Sequence, residues 1–150
     1  MFHCILVATG GSPWSRNAVS TAVRLAVAWQ AEMRIVHILE DDPQYQPPDM
    51  DVSDPQLRAE MEEAGDQILS HAAEHAAEAQ VAYEATLHWG EIPQEIVRLA
   101  GEHQCDLMVM GTRHLSGEKR LMTGRICNAV IATAPCPVLV VPLLQTSLAV

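Results

Sequence analysis

The chain has 150 residues, 49% of them hydrophobic and 19% charged, a balance that suits one domain with a sizeable core and excludes a disordered chain. Its formal net charge of −10 repels phosphate backbones, so a nucleic-acid partner is not expected. No apolar run approaches the roughly 18 residues that would cross a membrane.

The N-terminus opens directly on the strand-like run Met1 to Ala8, without a basic leader, and does not read as a signal peptide. That strand stops at Thr9-Gly10-Gly11. Ser12-Pro13 then supplies an N-cap and a first-turn proline, and a helix is predicted to about Gln30, with Ala18, Ala22, Leu25 and Trp29 on one face. Met33 to Leu39 is a second strand. Glu40 to Asp54 is acidic, carries Pro43, Pro47 and Pro48, and reads as a long mobile loop in which nothing packs.

Asp54-Pro55 repeats the cap-plus-proline signal and opens a helix whose buried stripe is expected at Leu57, Met61, Ala64, Ile68, Ala72 and Ala79. Val81 to His88 is a third strand, stopped by Trp89-Gly90. Pro93 lies in the first turn of a helix to about His103, with Ile96, Val97 and Leu99 inward. Asp106 to Met110 is a fourth strand ending at Gly111. A polar loop leads to a helix from about Thr123 to Thr133, and Val138 to Val141 is a fifth strand ended by Pro142. Strands alternating with helices imply right-handed crossovers and a parallel sheet covered on both faces. Ligands of such sheets bind beyond the carboxyl ends of the strands, so the loops after the first and fourth strands are where function is expected.

Cys4, Cys105, Cys127 and Cys136 form no C-x-x-C pair and each adjoins an apolar run. They read as reduced, buried thiols of a cytoplasmic protein, with Cys4 and Cys105 expected to be near neighbours without a bridge. The segment from Gly111 to Gly124 and Arg125 leaves a strand and enters a helix. It holds Arg113, Lys119, Arg120 and Arg125, four of the nine basic residues of an acidic chain. Glycines allow close backbone approach and a helix N-terminus offers free N–H groups, so an anion is expected there, with Arg113 and Arg125 facing the helix start near Gly124.

Two catalytic readings are weak. His71-Ala72-Ala73-Glu74-His75 matches H-x-x-E-H, but no third ligand motif follows, and no metal site is expected. Ser12, Ser15 and Ser116 lack a G-x-S-x-G elbow, and Ser12 is better explained as a cap. The chain reads as a binding or regulatory protein and not an enzyme.

The sequence resembles the universal stress proteins over nearly its whole length. The resemblance rests on Ile5-Leu6-Val7-Ala8 with Gly11-Ser12, on Ala18, His37 and Gly90 with Ile92, on Cys105-Asp106-Leu107 and Met110-Gly111-Thr112-Arg113, and most of all on Ala134-Pro135-Cys136-Pro137-Val138-Leu139-Val140-Val141. It implies a five-stranded parallel sheet of order 3-2-1-4-5 with helices on both faces, the adenine nucleotide alpha hydrolase-like fold. It also implies a dimer and either an ATP-binding or a non-binding branch. The site residues carried over are Thr9, Gly10, Ile38, Gly111, Thr112, Arg113, His114, Gly124 and Arg125. Three of them depart from the nucleotide-binding pattern: Gly10 replaces an aspartate, His114 a glycine and Arg125 a hydroxyl residue. These departures point to a dimeric stress-response protein without tightly bound nucleotide; the alternative is an ATP or AMP binder that uses the Gly111–Gly124 loop as a switch. In the implied order the fifth strand is an edge, and Val138, Leu139, Val140 and Val141 are expected to pair with a second copy, helped by Leu143, Leu144 and Leu148.

Overall fold

The computed structural model describes residues 1–113 and 124–143. His114, Ser116, Lys119, Arg120, Leu144 and Leu148 lie outside them. Five strands, β1 (Cys4–Ala8), β2 (Glu32–Glu40), β3 (Tyr83–Gly90), β4 (Leu107–Thr112) and β5 (Val138–Pro142), form one sheet of order β3-β2-β1-β4-β5 with every pairing parallel. The helices α1 (Pro13–Trp29), α2 (Pro55–Glu78), α3 (Ile92–Glu102) and α4 (Arg125–Thr133) connect them.

The centre of the sheet is apolar on both faces. Ile5, Leu6 and Val7 of β1 are fully buried, each removal from water being worth about 1.5–3 kcal/mol. Ile5 and Val7 pack with Ala18, Ala22 and Ala26 of α1 and Leu69 and Ala76 of α2. Leu6 packs on the other face with Ile96 and Leu99 of α3 and Val130 of α4. The small alanines of α1 let its backbone lie close to the sheet. The approach is tightest at Gly111, where a Cβ would stand 2.2 Å from the Trp14 carbonyl oxygen.

Three expectations need correction. The buried stripe of α2 runs through Gly65, Leu69, Ala72 and Ala76, while Ala64 is exposed and Leu57, Met61, Ile68 and Ala79 are only half-buried. The cause is Gly65, where a Cβ would fall 2.8 Å from Leu87 and 3.0 Å from His37, so the helix turns its smallest residue to the sheet. The third strand begins at Tyr83 and includes Trp89 and Gly90. Val81 instead closes α2, its N–H donating to the Ala76 carbonyl at 2.9 Å. The acidic segment after β2 is also not devoid of packing. Pro43–Tyr45 is a turn of 3₁₀ helix capped by Asp42, and the Gln46 side-chain amide donates to the Glu40 carbonyl.

At the amino ends of the strands, Asp106 accepts from the His3 N–H at 2.9 Å and the Cys4 N–H at 3.0 Å. Burial raises its pKa, but these hydrogen bonds prevail and hold the carboxyl below its usual range. The loops at the carboxyl ends are thereby left as the open pole.

Candidate functional site

Order β3-β2-β1-β4-β5 reverses direction between β1 and β4, and their carboxyl ends part around a cavity of about 520 Å³. Its floor is apolar: Val36, Ile38, Ile92, Ile96, Met110 and Ile126. Its rim is mostly backbone, from Thr9-Gly10 after β1, Gly111-Thr112 at the end of β4, and Gly124-Arg125 entering α4. All the residues proposed from sequence, apart from His114, line this one cavity.

The rim after β1 is held by a hydrogen-bond chain. Ser12 caps α1, accepting from the Ser15 N–H at 3.2 Å, and its hydroxyl donates to the Ser15 oxygen at 2.8 Å. Ser15 also accepts from the Gly10 N–H at 3.3 Å. Ser12 and Ser15 are thus structural, and among the described residues their hydroxyls bond to each other and to backbone, not to a base. Buried Thr9 donates its N–H to the Val36 carbonyl, and its own carbonyl accepts from His37 Nδ1 at 2.6 Å. That contact fixes His37 with its proton on Nδ1. Burial, opposed by the bond to Thr9, pulls the ring's pKa below 6.5, so it is neutral at pH 7.

The opposite rim is the start of α4. Gly124 has φ +87°, a conformation suited to glycine, and no side chain caps the helix. Among the described residues its first turn, which lines the cavity, has no side-chain cap. Both Arg113 and Arg125 line the cavity beside Gly124, and both guanidinium groups already have partners. Arg113 lies 5.9 Å over the Trp14 ring. Arg125 stacks at 3.7 Å on Tyr45 and pairs with Glu40 at 3.5 Å. The Glu40 side chain is only 10% exposed, and neither carboxylate oxygen has a hydrogen-bond partner among the described residues. A buried carboxylate satisfied only by one long ion pair is costly, so Arg125 is held by a group that itself needs a partner.

His71 and His75 are both exposed on α2, away from this cavity. Among the described residues no cluster of three or more His, Cys, Asp or Glu is placed to hold a metal ion. His37, Trp14, Ser15 and Cys127 line the cavity without having been singled out as site residues from sequence. For His37 the only signal was its place in the family pattern. Glu40 and Tyr45 lie in a segment whose composition reads only as loop.

A doubly wound parallel sheet of this order, with its cavity at the switch point, is the adenine nucleotide alpha hydrolase-like fold. The model of the universal stress protein family matches residues 1–142, and the chain belongs to that family. It is 35% identical over 149 residues to universal stress protein YxiE of Bacillus subtilis, covering 94% of this chain and 99% of the relative. A solved member from Burkholderia pseudomallei superposes with a TM-score of 0.71 at 26% identity, covering 93% of this chain and 96% of that one. A universal stress protein solved in complex with cAMP superposes with a TM-score of 0.69, also at 26% identity, covering 93% and 97%. Among the described residues no helix is long and apolar enough to cross a membrane.

Proposed function

We propose that the protein is a dimeric, cytoplasmic stress-response binding protein that takes an adenine nucleotide weakly and reversibly, without retaining ATP. The observation that carries this reading is the cavity of about 520 Å³, which joins an apolar floor suited to a base to a helix N-terminus that has no side-chain cap among the described residues and suits a phosphate. A relative solved with cAMP supports a ligand carrying one phosphate. Weak retention follows from three residues. Gly10 offers no carboxylate for a ribose hydroxyl. Arg125 replaces a hydroxyl at the helix start. Its charge is neutralised by Glu40. Among the described residues no group lining the cavity makes a nucleophile–base pair, which favours binding over hydrolysis.

The test has two arms. Protein purified without added nucleotide is denatured and the supernatant read by mass spectrometry; no stoichiometric nucleotide is expected. Titration with AMP, cAMP and ATP, followed by tryptophan fluorescence because Trp14 lines the cavity, should give saturable binding of the monophosphates. One equivalent of ATP in the supernatant, or no saturable response to any of the three, would overturn the reading.

A further inference from the structure

The pole opposite the cavity holds a second chemical feature. Cys4 opens β1, and Cys105 ends the turn that leads into β4. Their sulfurs are 3.1 Å apart, and both thiols are free. A disulfide needs about 2.05 Å, so roughly one ångström of approach separates the two states. The backbone already holds the two segments together: the Asp106 N–H donates to the Cys4 carbonyl at 3.0 Å, and the Asp106 carboxylate accepts from the Cys4 N–H. We propose that Cys4 and Cys105 are an oxidation site, a thiol pair that a hydroperoxide closes into an intramolecular disulfide.

The two sulfurs are not equivalent. The hydrogen bond from Cys105, opposed by burial and Glu32 and assisted by Arg34, holds the Cys4 thiol below its usual range. The same contact, together with burial, pushes Cys105 up. Cys4 also has the Arg34 guanidinium beside it, and a nearby cation favours the thiolate, so Cys4 is taken as the first nucleophile. Its sulfur attacks one peroxide oxygen, the O–O bond breaks, and the departing alkoxide leaves as an alcohol with the Cys4 proton. Cys4 is oxidised to a sulfenic acid and the peroxide is reduced. The negative charge that kept Cys105 protonated is then gone. The Cys105 sulfur attacks the Cys4 sulfur, the S–O bond breaks, and hydroxide leaves as water with the Cys105 proton. Two thiols and one hydroperoxide thus give one disulfide, one alcohol and one water. The remaining cysteines are placed differently. Cys127 lies at the cavity, its thiol 3.6 Å from the Gly111 carbonyl oxygen, and burial raises the pKa of both Cys127 and Cys136.

The test uses the whole chain, reduced, desalted and treated with a small molar excess of hydrogen peroxide. Remaining thiols are alkylated and the digest is read by mass spectrometry. Free thiols should fall from the four present to two, with the Cys4 and Cys105 peptides joined within one chain and separated again by a phosphine reductant. In Cys105→Ser, dimedone should label Cys4; in Cys4→Ser, Cys105 should stay unlabelled. Should either variant fail to fold, the wild-type digest decides alone. Linkage through Cys136, linkage between chains, or peroxide uptake that leaves Cys4 and Cys105 free would each overturn the proposal.

Discussion

Single residues set the character of the cavity, and His37 links it to pH. The unfolded chain takes up a proton at this position near pH 6.5, whereas burial opposes it in the folded state. The stability gained by keeping the ring neutral is therefore complete above about pH 6.5 and erodes as pH falls toward the depressed folded value. His88, lowered first by its own burial, acts in the same window. The melting temperature should fall between pH 7.5 and pH 5.5, and by less in His37→Asn, whose amide can still donate to Thr9; an unchanged pH slope would remove His37 as the cause. Gly10 and Glu40 govern the ligand itself. A Cβ at Gly10 meets nothing within 4 Å, so Gly10→Asp fits without strain and restores the carboxylate of the family's nucleotide-binding pattern. It should raise ATP affinity by roughly tenfold through one charge-assisted hydrogen bond. Glu40→Gln should strengthen binding of all three nucleotides by about two- to fivefold, because it removes the carboxylate 3.5 Å from Arg125. Calorimetric titration of the two variants checks both; a loss of affinity in Glu40→Gln would mean that the carboxylate touches the ligand.

The elements themselves divide by how local their determinants are. Ser12-Pro13 and Asp54-Pro55 were legible because capping is chemistry within four residues, and both caps are formed, Asp54 accepting from the Gln56 N–H at 3.1 Å. Ile5 to Val7 and Leu107 to Val109 were legible because a strand buried on both faces is a continuous apolar run. The Gly10 and Gly124 loops, and with them most of the cavity rim, were legible for the same local reason. The helix ends were not. Where glycine usually stops a helix, α1, α2 and α3 are followed by Gln30, Gln80 and Gln104 at φ 53°, 59° and 54°, a left-handed conformation that glutamine does not advertise. Glu40, Tyr45 and Arg125 were illegible as a unit because their contact joins two segments about eighty residues apart in the chain. The glutamines carry a prediction. Gln104→Gly should stabilise the fold by about 0.5–1 kcal/mol, since no Cβ then opposes the positive φ. Urea denaturation of the variant checks it, and a lower midpoint would show that the Gln104 side chain contributes more than its backbone costs.

At the scale of the whole molecule, the fold leaves β5 (Val138–Pro142) as an edge of the sheet among the described residues. Leu139 is 37% exposed there, and Ile131 of the adjoining α4 is 49% exposed. Pro142 pairs with Thr112, and the Asn17 side-chain amide donates to its carbonyl at 3.1 Å, so the strand end is held in place within the protomer. A two-fold axis across this edge would set two copies of β5 antiparallel and cover both side chains, each square ångström removed from water contributing about 25 cal/mol. Association also has an electrostatic cost, because each chain carries a formal charge of −10. Screening shortens the reach of that repulsion to about 8 Å at physiological salt, so the dimer should tighten as salt rises from low values. Leu139→Lys is the sharper of the edge substitutions. The position is exposed, so lysine leaves the protomer folded, yet two copies bring like charges together at the axis. Light scattering at micromolar concentration should give twice the chain mass for the wild type and the chain mass for Leu139→Lys, with unchanged circular dichroism. A wild type that is monomeric at every salt concentration, or a lysine variant that stays dimeric, would exclude β5 as the interface.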